Sequence, residues 1–227
     1  PFPAGDFNNF SPQTFVKGQA SYTIRGRVAD TYTFTADGGG TTDSLTNYII
    51  EPAFIDTLIF TNVSDLTSGG APYSLVVEAR DSLGNALEDS VGMTVTLELV
   101  SGGSLTIATS PADLGSNGQV SFDISSTVAG GAYRVRALSG AGDVVDTSAT
   151  FAVLAGAPAG YVFSLSNGYT IDAGETATLD VTAVDAQGNR DSTYTGVGLT
   201  LSERDGRGDF TFTPVGVIDF GLQRYTV

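Results

Sequence analysis

The sequence predicts an all-β chain of tandem β-sandwiches, with about seven strands per repeat and essentially no helix. Three observations carry this. Short segments alternate apolar and polar residues at period two, the pattern of a strand with one buried face. One such segment returns after 104 residues, about the length of a single sandwich domain. No segment has a convincing 3.6-residue apolar period.

The anchor is Leu75-Val76-Val77-Glu78-Ala79-Arg80-Asp81-Ser82-Leu83-Gly84-Asn85, and its copy is Leu179-Asp180-Val181-Thr182-Ala183-Val184-Asp185-Ala186-Gln187-Gly188-Asn189. Leu75, Val77 and Ala79, and in the copy Leu179, Val181 and Ala183, form the inward set. Each strand runs into Asp-x-x-Gly-Asn, where the Asp accepts turn N–H groups and Gly-Asn tolerates positive φ. Gly84 and Gly188 are therefore expected in equivalent turns with positive φ. Other segments repeat as well. Gly18-Gln19-Ala20-Ser21-Tyr22-Thr23-Ile24 matches Gly118-Gln119-Val120-Ser121-Phe122-Asp123-Ile124 and Gly221-Leu222-Gln223-Arg224-Tyr225-Thr226-Val227. Val28 to Ala36 matches Val128 to Ala137, Asp43 to Ile50 matches Asp146 to Val153, and Gly5-Asp6-Phe7 matches Gly208-Asp209-Phe210.

These matches divide the chain into the C-terminal half of one repeat (1–55), a complete repeat (56–155) and the N-terminal part of a third (156–227). In the complete repeat, strands are expected near 57–62, 74–81, 92–100, 104–109, 119–125, 132–138 and 147–154. Their inward set is Leu75, Val77, Ala79, Val95, Leu97, Val120, Phe122, Ile124, Tyr133, Val135, Phe151 and Val153, and Met93 and Leu99 alternate with Thr94, Thr96 and Glu98. In the first part Ala20, Tyr22, Ile24, Tyr32, Phe34, Tyr48 and Ile50 should face a core. In the last part Val162, Leu179, Val181, Ala183, Val197, Leu199 and Leu201 should do so. Pro158 marks a short linker between neighbouring units, which should meet end to end with limited freedom. A half sandwich exposes strand edges and an apolar face, so the chain reads as a slice of a longer array or as a copy completed by head-to-tail strand exchange.

Composition bounds the function. The chain has 227 residues, 41% hydrophobic, enough for about two ordinary domains with packed cores. No run approaches 18 apolar residues, so no membrane-spanning helix is expected, and the start at Pro1 carries no leader pattern. Cysteine is absent, which rules out disulfides and thiolate metal sites. Net charge is −15 with one lysine, Lys17, a surface that repels nucleic acid and anionic membranes.

The Ala-x-Asp-x-x-Gly-Asn strand end at 79–85 and 183–189, and the Ala-Gly-x-x-Tyr-x-Val-x-Ala block from Ala129 to Ala137, resemble bacterial and archaeal surface-protein immunoglobulin-like repeats of the invasin/intimin type. A block from Ala29 to Ala36 is a looser copy. The resemblance covers the whole chain in pieces. It implies tandem immunoglobulin-like sandwiches in a rod-like extracellular array, with adhesion often placed in a different, terminal domain. The disulfide and buried Trp of antibody domains are missing here.

Candidate chemistry is sparse. Without Cys, His or a Gly-x-Ser-x-Gly elbow, nucleophilic and histidine-based catalysis have no residues to carry them. Glu203 and Asp205 are a carboxylate pair in a turn-like run rather than across a cleft. Calcium is the better chemical hypothesis, because it takes carboxylate and carbonyl oxygens. The candidate ligands are Asp81, Asn85, Glu88 and Asp89 on one loop and Asp185, Asn189 and Asp191 on its copy; the competing reading is that they stabilise turns and solubilise unit ends. Arg207-Gly208-Asp209 spells the integrin tripeptide, but its earlier copy is Ala4-Gly5-Asp6, which points to a structural turn. Asn9-Phe10-Ser11 and Asn62-Val63-Ser64 are glycosylation sequons.

The sequence thus predicts a non-enzymatic, structural segment of an extracellular tandem-repeat protein: a stalk, surface layer or filament. Its expected partners are further repeats or other copies, end to end, with no nucleic acid and no membrane insertion. Two alternatives stay open: an adhesin segment binding a glycan or host protein through its loops, and an accessory domain of a carbohydrate-active enzyme.

Overall fold

The computed structural model describes residues 14–52, 54–88, 92–140, 142–168, 170–195, 198–204, 211–219 and 221–227. Among them there are sixteen strands and no helix. A hairpin of β1 (Asp30–Gly38) and β2 (Thr41–Ile50) comes first. Ten strands follow: β3 (Thr57–Phe60), β4 (Leu66–Thr67), β5 (Tyr73–Arg80), β6 (Thr94–Ser101), β7 (Thr106–Ile107), β8 (Ala112–Asp113), β9 (Gln119–Ser125), β10 (Gly130–Ser139), β11 (Val145–Thr147) and β12 (Phe151–Leu154). The last four are β13 (Gly160–Leu165), β14 (Thr178–Val184), β15 (Thr213–Asp219) and β16 (Leu222–Thr226).

The ten middle strands form a two-sheet β-sandwich. One sheet has the order β3-β5-β9-β7; the other runs β4-β12-β10-β6-β8, with β11 also on β10. Register follows the apolar alternation: Leu75 lies opposite Phe122 and Val77 opposite Val120, while Ala137 lies opposite Leu97. A one-residue slip would turn every one of these side chains to water, so the pattern specifies the pairing. All twelve expected inward residues are buried in one core that both sheets share. That core also takes Leu58, Leu66, Leu87, Leu114 and Ala137. Leu87 and Leu114 lie in connections, where period two gives no signal.

Some expectations are corrected. The segment expected at 147–154 is two strands. Ser148 interrupts it, because its buried Oγ accepts the Val135 N–H at 3.1 Å, and β12 resumes at Phe151 opposite Tyr133. The two-residue strands β4 and β8 are too short to show a period, and β4 pairs with β12 in parallel. Leu99 was expected inward but is 38% exposed; the register between β6 and β10 shifts beside it, between Arg134 and Val135, and the inner face is lost there.

In the first unit Tyr32 is buried, whereas Tyr22, Ile24 and Tyr48 are exposed and Ala20, Phe34 and Ile50 half-buried. Residues 20–29 lie outside any strand, although the copies of residues 20–24 pair with β5 and β14 as parts of β9 and β16. A strand needs a neighbour, and the described residues supply none there. The last unit is a sheet of order β13-β14-β16-β15. Leu179, Val181 and Ala183 are buried as expected, with Tyr225, and Leu199 and Leu201 pack against this cluster half-buried. Val162 is 53% exposed instead: among the described residues β13 is an edge strand paired with β14, and Leu165 at its end is the β13 side chain that packs against the cluster. Val197 lies outside the described residues.

Candidate functional site: the joints between units

The repeated strand end is a turn built by its own aspartate. Asp81 Oδ1 accepts the N–H groups of Leu83 and Asn85, both at 2.9 Å. Asp185 Oδ1 accepts those of Gln187 and Asn189, at 2.9 and 2.8 Å. Gly84 and Gly188 close the two turns at φ +88° and +84°, as expected for the left-handed position. A second glycine pair fixes how each turn returns to the sheet. Gly118 at φ +71° has the Leu87 backbone nitrogen 2.8 Å from where a Cβ would sit; its copy Gly221 is crowded by the Asp191 carbonyl in the same way. Ala79 donates to Gly118 O and accepts from Leu87 N, and Ala183 does the same with Gly221 and Asp191. The repeat is therefore preserved bond by bond.

Each turn presents its asparagine to the preceding unit. Asn189 Oδ1 accepts the Ala129 N–H at 3.0 Å, and its Nδ2 donates to Thr127 O at 2.9 Å and Ser68 Oγ at 2.7 Å. Asn85 repeats this one unit earlier: Oδ1 accepts from Ala29 N at 3.1 Å and Nδ2 donates to Arg27 O at 2.9 Å. One side-chain amide thus meets one backbone N–H and one backbone carbonyl of its neighbour. The opposite amide orientation would set donor against donor and acceptor against acceptor.

The receiving loop is held from within its own unit. Tyr133 Oη donates to Val128 O at 2.8 Å, and Tyr32 Oη to Val28 O at 2.9 Å. Tyr133 is buried and stacks on Phe151, so its hydroxyl is anchored in the core. Ser126 Oγ accepts the Val128 N–H and donates to Ser104 O, while Ser68 Oγ donates to Thr127 O. The linker joins in through Gly156, whose N–H donates to Asp185 Oδ2 at 3.0 Å, and Gln187 lies against Gly69. Burial opposes ionisation of Asp185. Hydrogen bonds from the Asn189 amide and from the N–H groups of Gly156, Asn189 and Gln187 outweigh it and hold this carboxyl well below the usual carboxylate range.

The calcium candidates fall into this frame. The carboxylates of Asp81 and Asp185 accept N–H donors of their own turns, and Asn85 and Asn189 bridge units. Asp191 Oδ1 accepts from Thr193 N and Oγ1, and the Glu88 backbone bridges to Asn117. Asp89 lies outside the described residues. Among the described residues, no three acidic side chains are grouped to hold a metal ion. Glu203 lines an open apolar hollow with Leu165, Leu179, Phe212 and Val227. Asp205, Arg207-Gly208-Asp209 and Asn9 lie outside the described residues. Asn62 is committed to the sheet: Nδ2 donates to Ser74 O and Oδ1 accepts from Val76 N.

Sequence reasoning placed both turns and missed what their asparagines reach. The signal was present, since the Asp-x-x-Gly-Asn turn and the Val-Ala loop both occur twice, 56 to 60 residues apart. Ser68 gave no signal.

No protein-family model matches the chain, and no curated protein matches it. Among solved structures, it is similar to invasin, described as a bacterial integrin-binding protein, at 18% identity and a TM-score of 0.48 over 97% of this chain and 46% of that one. The D00-D0 domain of intimin is similar at 14% identity and a TM-score of 0.37, over 62% of this chain and 68% of that one. Domains 4–9 of the surface layer protein SbsC follow at 14% and 0.32, over 90% and 32%. The chain spans less than half the length of the invasin structure.

Proposed function

We propose that this chain is a non-enzymatic structural segment of an extracellular surface protein, a spacer whose units are held at a set orientation. The observation that carries the reading is the joint. Two successive joints are tied by the same asparagine-to-backbone contact, each made by a turn that its own aspartate stiffens. A flexible tether would need no such contact. The exposed acidic surface, at a net charge of −15, suits a solvated rod rather than a binder of polyanions. Its partners are further units of the same kind, end to end. Calcium is not required in this reading, because N–H donors already engage the turn carboxylates.

The test exploits the lack of native cysteine. Spin labels on cysteines introduced at the exposed positions Asp123 and Ser164 report the distance between the central and last units. A narrow distance distribution, unchanged by chelator, is expected; a broad one would remove the spacer reading.

A further inference from the structure

We infer that the Asp-x-x-Gly-Asn turn is a connector that recognises main chain rather than side chain, and that its partner is the Val-Ala loop of any unit of this kind placed before it. This rests on the spacer reading. The observation is that the two joints share a pair of main-chain bonds but not their flanking residues, the second joint adding a bond from Asn189 Nδ2 to Ser68 Oγ that the pair does not depend on. Asn85 meets Arg27 O and Ala29 N, and Asn189 meets Thr127 O and Ala129 N. Arginine in one receiving loop and threonine in the other contribute the same atom, a carbonyl oxygen. The shared features are a buried tyrosine that holds the Val carbonyl and an N–H one residue further on.

It follows that the asparagine is the positioning residue of each joint. The aspartate before it sets the turn, and in the second joint it also takes the linker N–H of Gly156. The side chains of the receiving loop are free to vary, so units can be exchanged or reordered without redesigning the joint. The requirement is an N–H at the Ala position and a carbonyl two residues before it.

The test uses the full chain and hydrogen exchange at the Ala129 amide, which lies in a different unit, 60 residues from Asn189. Asn189→Ala should raise Ala129 exchange about tenfold or more, as for loss of its one bond to a fixed acceptor, and broaden the Asp123–Ser164 spin-label distribution. Ala129→Pro, which deletes the N–H, should broaden it likewise. Thr127→Arg, which copies the first joint, should change neither. If Asn189→Ala also unfolds the last unit, seen as lost protection at Val181, the Ala129→Pro arm decides from the other side. Unchanged Ala129 exchange in Asn189→Ala, or a broadened distribution in Thr127→Arg, overturns the inference. A narrow wild-type distribution with that outcome leaves the spacer reading standing; a broad wild-type distribution removes the spacer reading instead.

Discussion

Phe122 is fully buried on β9 opposite Leu75, at the centre of the shared core. Phe122→Ala should therefore cost ~3–5 kcal/mol in denaturant unfolding; a loss under about 1 kcal/mol would mean that the ring is not in a packed core. Two glycines separate backbone strain from crowding. Gly84 has open space around it, so Gly84→Ala meets only the left-handed φ, at about 1 kcal/mol. Gly118→Ala meets that φ and the Leu87 backbone as well, and should destabilise more; equal melting temperatures for the two variants would refute the close approach. Asp185 adds a pH term. Its folded pKa is depressed below the ordinary ~3.9, so its contribution is complete above about pH 4 and is lost as pH falls further. Acid unfolding of the last unit should steepen below pH 4, and Asp185→Asn should flatten that slope. An identical slope in the variant would show that the carboxylate is not held by these donors.

At the scale of the element, strand β10 shows what was legible and what was not. Tyr133, Val135 and Ala137 alternate cleanly, and all three are buried as the period requires. The partner beyond them was not legible, because Ser148 breaks the last strand with a side-chain bond that no period reports. The same holds for β4 and β8, two residues each, which tertiary pairing defines and local pattern does not. The turns after β5 and β14 were legible because turn chemistry is local: an Asp followed by Gly-Asn suffices. The joint was not, since its halves lie 56 to 60 residues apart and one of them is main chain. Two substitutions on β10 and its partners test this division. Ser148→Ala leaves the buried Val135 N–H without its 3.1 Å acceptor and should cost ~1–3 kcal/mol. Arg136→Gln removes a 2.7 Å pair with Glu98 whose side chains are 48% and 44% exposed, and should stay within about 1 kcal/mol of wild type. The reverse ranking in urea unfolding would mean that surface charge, not the buried serine, secures the strand.

At the scale of the whole molecule, units that touch only their neighbours have stabilities that are roughly a sum of intrinsic and interface terms. The intrinsic terms here are unequal. Among the described residues, the central sandwich buries seventeen core residues in one cluster, while the main cluster of the last unit is built on Leu179, Val181 and Tyr225 with half-buried neighbours. The weaker unit depends more on its joint. Removing one side of that joint should therefore act unevenly, although the substitution sits at a contact shared by both units. In calorimetry of the full chain, Asn189→Ala should lower the transition of the last unit by several degrees, as expected for about 1 kcal/mol in a unit of this size. The central transition should move little, because its core is untouched, the Thr127 and Ala129 main chain lose one partner each, and Ser68 Oγ loses a donor but keeps its own bond to Thr127 O. Asn85→Ala should likewise leave the central transition nearly in place, since Ala29 and Arg27 belong to the first unit. Equal shifts of both transitions by Asn189→Ala would mean that the asparagine supports the sandwiches themselves. No shift at all would mean that the joint carries no interface energy, and that orientation between units is set by the linker alone.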